Sequence, residues 1–189
     1  MKKKYLFLLI LLLNSTSSLS AQEFTGDVKL ACEAILCLST GKRPNECTPS
    51  LRRYFSINLK HFSDTLKERR NFLNLCPAAT VDTNMKKLVS DISNGAGYCD
   101  ATSLNRSLTS IFNEVHFITS NRLPSVCENY RSNAYIDAKN PVTPVYVGEP
   151  ENGGFWTEPE NYDESVRIYN SRIKNIKRRV IPGWLLFNK

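Results

Sequence analysis

The chain has 189 residues, 41% of them hydrophobic, with 25 Lys and Arg against 18 Asp and Glu for a formal charge of +7. That length suits one domain with a real buried core and is short for two. The charge is too sparse for a nucleic-acid face, which needs dense cations interleaved with stacking aromatics, so a mixed-charge solvated surface is expected and no nucleic-acid partner.

Lys2, Lys3 and Lys4 precede the apolar block Tyr5 to Leu13 and the small-residue stretch Ser17 to Ala21. These are the three parts of a secretory signal peptide, with an apolar centre too short to span a bilayer. Cleavage is expected after Ala21, leaving residues 22–189 as a single mature domain in the periplasm. The first cysteine is Cys32, too far on for a lipidated N-terminus. The leader removes three lysines and no acid, so the mature chain is only mildly basic.

Asp27 to Thr40 reads as a helix, since Val28, Ala31, Ala34, Ile35 and Leu38 recur at three- and four-residue spacing and Gly41 offers a stop. Cys32 and Cys37 then lie about 140° apart around its axis and should reach different partners. Thr48-Pro49 has the form of an N-cap and first turn for a helix to Ile57, with Leu51, Tyr54 and Phe55 inward and Arg52 and Arg53 outward. Ser63 or Asp64 is a cap for a helix to Leu75. On it Leu66, Leu73 and Leu75 are apolar and Lys67, Glu68, Arg69 and Arg70 form a solvated cluster. Met85, Leu88, Val89 and Ile92 mark the next helix. After the cap candidates Asp100 and Thr102, the series Leu104, Leu108, Ile111, Val115, Ile118 keeps a helical period. Pro124 opens a short helix with Cys127 and Tyr130, so a helical, cysteine-rich core is predicted over about 27–132.

From about 140 to 159 the chain is rich in Pro and Gly, with Val142 to Val147 and Phe155-Trp156 on either side of Glu149 to Gly154, which reads as an extended loop or a two-stranded hairpin. Residues 160–189 form a basic helix and apolar tail. Val166, Tyr169, Ile173, Ile176 and Val180 make a narrow stripe flanked by Arg and Lys. Ile173, Ile176, Trp184, Leu185, Leu186 and Phe187 are the candidate interaction residues, to be packed on the core or used as a docking face for an envelope protein or the membrane interface. The fold class is thus mainly α, a disulfide-stapled multi-helix domain with a small extended or β-hairpin excursion near the C-terminus.

Six cysteines, Cys32, Cys37, Cys47, Cys76, Cys99 and Cys127, allow fifteen pairings. Cys37 near one helix end and Cys47 before the next would close a loop of about ten residues. Cys32, on another face, is then predicted to reach Cys76, leaving Cys99 with Cys127. No CxxC occurs and His61 and His116 stand far from every cysteine, so neither metal nor cofactor is expected. His116 sits in an apolar run and reads as a core-margin residue. GxSxG, P-loop, HExxH and GxGxxG motifs are missing, so no catalytic residue is assigned. Glu33, Glu68 and Glu114 are the candidate acids if the chain is instead a peptidoglycan-cleaving enzyme serving a secretion channel, a use that needs an apolar pocket and substrate groove.

The run from Ala31 to Gly41, with Glu46-Cys47, Pro49 to Ile57 and Phe72-Leu73-Asn74-Leu75-Cys76-Pro77, resembles the TrbM conjugal transfer family, which includes the KikA-type proteins. The resemblance is dense from Cys32 to Pro77 and thinner beyond. It implies an exported, non-cytoplasmic component of plasmid conjugation, tied to mating-pair formation and type IV secretion; a non-enzymatic role through contacts with envelope or secretion-system proteins is expected. It brings no catalytic residue to this chain.

Overall fold

The computed structural model describes residues 24–112 and 116–180. The leader, Glu114 and Trp184 to Phe187 lie outside the described residues. Among the described residues, seven α-helices and two antiparallel hairpins make a mainly helical fold held by three disulfides.

Helix α1 (Gly26–Leu38) buries Ala31, Ala34, Ile35, Cys37 and Leu38, the face its spacing predicts. It stops before Gly41, at Ser39, whose N–H and hydroxyl both bond the Ile35 carbonyl. Gly41 has another role. Its N–H donates to Asn140 O at 2.8 Å, and a Cβ there would stand 2.2 Å from the Pro141 carbonyl oxygen. The glycine lets two backbones touch.

In α2 (Thr48–Ser56) Thr48 is already helical and makes no side-chain cap. Tyr54 is buried as expected, together with Ser50, whose hydroxyl donates to Cys47 O at 3.0 Å. Arg53 does not point into open solvent. It donates to Asp27 at 2.9 and 3.2 Å and lies 4.9 Å from the Phe72 ring centroid, clamping α2 to the first turn of α1.

In helix α3 (Phe62–Leu73) the N-cap position falls at His61, two or three residues before the expected caps Ser63 or Asp64. Leu75 is left exposed while Phe72 and Leu73 are buried. Arg69, expected in a solvated cluster, is only 6% exposed, because aromatic faces and carbonyl acceptors take over from water. Helix α4 (Thr83–Gly95) is capped by Asp82, which accepts from Met85 N–H, and buries Leu88, Val89 and Ile92. Helix α5 (Ala101–Leu108) is capped by Asp100 through Ser103 N–H at 2.8 Å.

The helix expected to continue through Ile118 ends at Leu108. Strands β1 (Thr109–Phe112) and β2 (His116–Thr119) follow as a hairpin in the register Thr109↔Thr119, Ser110↔Ile118, Ile111↔Phe117, Phe112↔His116. The run is dense in β-branched and aromatic residues, which lose rotamer freedom in a helix and fit a pleated surface. The Thr109 and Thr119 hydroxyls meet at 2.7 Å across the pair. Helix α6 (Ser125–Arg131) buries Cys127 and Tyr130, and the Tyr130 hydroxyl donates to Leu38 O at the end of α1.

The Pro/Gly region is a hairpin, β3 (Val145–Val147) against β4 (Phe155–Thr157), turned through Gly153 at φ 76°. The Asn105 side chain of α5 pairs with β4 as a strand would, bonding both Trp156 N–H and Trp156 O at 2.8 Å. Tyr146 and Trp156 donate to the Thr119 and Ser120 carbonyls, so the second hairpin is fixed to the base of the first. Helix α7 (Tyr162–Val180) closes the described chain.

The bridges are Cys32–Cys76, Cys37–Cys47 and Cys99–Cys127, the pairing that the spacing predicts. They tie α1 to the end of α3, α1 to the start of α2, and the α4–α5 turn to α6, around one buried cluster from Ala31 to Trp156.

Candidate functional site

Two surface features are built by residues distant in sequence. The first is a cleft of about 760 Å³ lined by Gly41, Lys42, Arg43, Asp100, Lys139 to Val142 and Glu158 to Glu160. The Gly41–Asn140 contact and the bond from Asp137 N–H to Ser39 O at 2.8 Å fix its two loop walls together. Glu158 accepts from Ala101 N–H at 2.7 Å, and Asp100 caps the same helix end. Burial raises the Glu158 carboxyl above the ordinary glutamate range; the Ala101 N–H opposes this, the charges of Glu160 and Asp100 add to it, and Arg43 lowers it. Both carboxylates serve the N-terminus of α5.

A group raised in the folded state contributes stability below its unfolded pKa and loses that contribution as pH rises through the folded value. Glu158→Gln keeps an oxygen for Ala101 N–H and cannot charge. Its urea midpoint should therefore fall less than that of the parent between about pH 4 and pH 7. A larger fall in the variant would mean that the anion is the favoured cap.

The second feature is a groove of about 390 Å³ between the first hairpin and α7, lined by Asn105, Thr109, Phe117, Thr119, Gly153 to Phe155 and Arg172. Ile111 and Phe117, direct partners across the hairpin, are 66% and 67% exposed. Arg172 lies 5.8 Å from the Phe155 ring centroid and donates to Gly153 O at 3.4 Å. Phe117 thus lines the groove with Phe155 and Arg172, and its cross-strand partner Ile111 stands exposed next to it.

The TrbM family model matches residues 23–170. The chain belongs to the TrbM family. TrbM members are conjugal transfer proteins and not a known enzyme family. No curated protein and no solved structure matches the chain. The TrbM match takes in all three bridges, the cleft and most of the groove, and it ends inside α7.

The candidate acids are scattered. Glu33 faces Lys29 at 4.0 Å on α1, and Glu68 accepts from Asn71 at 3.0 Å on the exposed side of α3; Glu114 lies outside the described residues. Of the interaction candidates, Ile173 is half-buried and Ile176 is 49% exposed, while Trp184, Leu185, Leu186 and Phe187 are not described. Sequence reasoning missed Ile111 and Phe117 as a surface pair because it placed Ile111 on a helix. The β-branched and aromatic density from Thr109 to Thr119 was the signal available. Among the described residues no group of three His, Cys, Asp or Glu side chains could hold a metal ion, and no helix is long and apolar enough to cross a membrane.

Proposed function

We propose that this TrbM protein is an exported, non-enzymatic component of plasmid conjugation that acts in the periplasm, supporting mating-pair formation or type IV secretion through protein contacts. The match over residues 23–170 carries the reading. Three disulfides in the described fold agree with an oxidising compartment, and the N-terminal sequence has the form of a leader. The contact surface is the groove rim, where Ile111 and Phe117 offer an apolar anchor beside Phe155 and Arg172 to a secretion-system protein. Ile173 and Ile176 extend the interaction surface along α7, and Trp184 to Phe187, outside the described residues, are further interaction candidates from the sequence.

The test is plasmid transfer from a donor lacking the gene and complemented with variants. Ile111→Ser with Phe117→Ser should lower transfer frequency about tenfold or more, while the melting temperature moves by only a degree or two, because exposed side chains contribute little to stability. Undiminished transfer without the gene would refute the assignment to conjugation. Undiminished transfer by the double variant would remove the groove rim from it.

A further inference from the structure

The charge of the chain is polarised. From Gln22 to Asn161 there are fifteen Lys and Arg against sixteen Asp and Glu. Helix α7 carries six cations, Arg167, Arg172, Lys174, Lys177, Arg178 and Arg179, and its two acids, Asp163 and Glu164, both stand in the first turn. From Ser165 to Val180 every charge is positive.

The first part of this helix is bonded to the second hairpin and its turn. Ser165 bonds Thr157 at 2.7 Å, Tyr169 accepts from Glu149 N–H at 3.1 Å, and Arg172 closes the series at Gly153. Ile168 and Ile176 are exposed. The helix dipole rewards cations in the last turn, yet it does nothing for Arg167, Arg172 or Lys174. Lys174 and Arg178 are an i,i+4 pair of like charge, which disfavours an isolated helix. Within the helix Glu164 pairs with Arg167, but from Arg172 onward every charge is positive, so anions for Lys174, Lys177, Arg178 and Arg179 must come from outside the helix, on both sides of an apolar stripe that includes Ile173 and Ile176. A flat anionic lipid surface meets both conditions, with acyl chains for the stripe and phosphates for the flanks.

We propose that α7 from Arg172 onward lies on the surface of an anionic phospholipid bilayer, holding the groove rim at a fixed distance from the membrane. This rests on the reading of the protein as an exported envelope factor. The test is co-sedimentation of the full chain, expressed for export, with vesicles of phosphatidylglycerol and phosphatidylethanolamine, and with vesicles of phosphatidylcholine. Binding should be at least about tenfold stronger to the anionic vesicles and should weaken as salt rises. Lys174→Glu with Arg178→Glu should reduce it about twentyfold or more, each lost cation being worth about fivefold. Ile176→Ser should also weaken it, with melting curves confirming that each variant is folded.

Failure of the folded protein to bind anionic vesicles, or equal binding to both lipids, overturns the proposal. So does retention of binding by the charge-reversed variant. Loss of transfer by that variant without any vesicle binding by the parent assigns the helix to an acidic protein instead. Vesicle binding and transfer are separate readouts, so a gene that proves dispensable for conjugation leaves the lipid result standing on its own.

Discussion

Replacing Cys32 and Cys76 together by serine should lower the unfolding free energy by about 4 kcal/mol, the largest loss among the three bridges. The two cysteines are 44 residues apart, and the chain-entropy relation makes the stabilisation grow with the loop that the bridge closes. The same relation gives about 3.6 kcal/mol for Cys99–Cys127, with a separation of 28, and about 2.7 kcal/mol for Cys37–Cys47, with a separation of 10. Against a total stability of about 5 to 15 kcal/mol for a protein of this kind, loss of all three removes most or all of it. Chain retained in a reducing cytoplasm should accordingly be unfolded. Urea midpoints for the three double-serine variants check the ranking. If Cys37–Cys47 proved the most costly to remove, native packing at the α1–α2 turn would be the source of stability rather than loop closure.

The cysteine pairing was legible because it depended on local order: two cysteines on different faces of one helix, one just before the next helix, and one at a helix end. The amphipathic faces of α1 and α4 were legible for the same reason, since their periodicity is written into neighbouring residues. Ile111 and Ile118 were not, because their spacing fits a helix as well as it fits the two strands of a hairpin. Two contacts settle that segment, the Thr109–Thr119 hydroxyl pair and the anchoring of Trp156 and Tyr146 to the carbonyls of Ser120 and Thr119, and sequence order shows neither. The cleft was hidden in the same way. Lys42, Lys139 and Glu158 come together only because Gly41 allows the backbone of Pro141 to approach it. The basic flanks of α7 could be seen early, but the bonds of Ser165, Tyr169 and Arg172 to Thr157, Glu149 and Gly153 are a property of the fold.

Arg69 is the clearest departure from a local reading, and its replacement is expected to be as costly as losing a bridge. The guanidinium donates to Ile57 O at 3.1 Å, and to Ala96 O and the Tyr98 hydroxyl at 3.4 Å. It lies 5.0, 5.4 and 5.5 Å from the ring centroids of Tyr54, Phe55 and Tyr98. None of the ion pairs among the described residues includes it. Its burial is therefore offset by carbonyls and π faces instead of a carboxylate. Arg69→Ala removes the packing of a long side chain and strands two carbonyls, for a loss of about 4 kcal/mol. Arg69→Met restores most of the apolar volume and leaves the carbonyls unmet, for about 2 kcal/mol. The contrast between the two is decisive, because a buried charge that merely burdens the fold can be replaced by an apolar side chain at no cost or with a gain. A methionine variant as stable as the parent would show that Ile57 and Ala96 find other donors, and that Arg69 is tolerated in the core rather than required there.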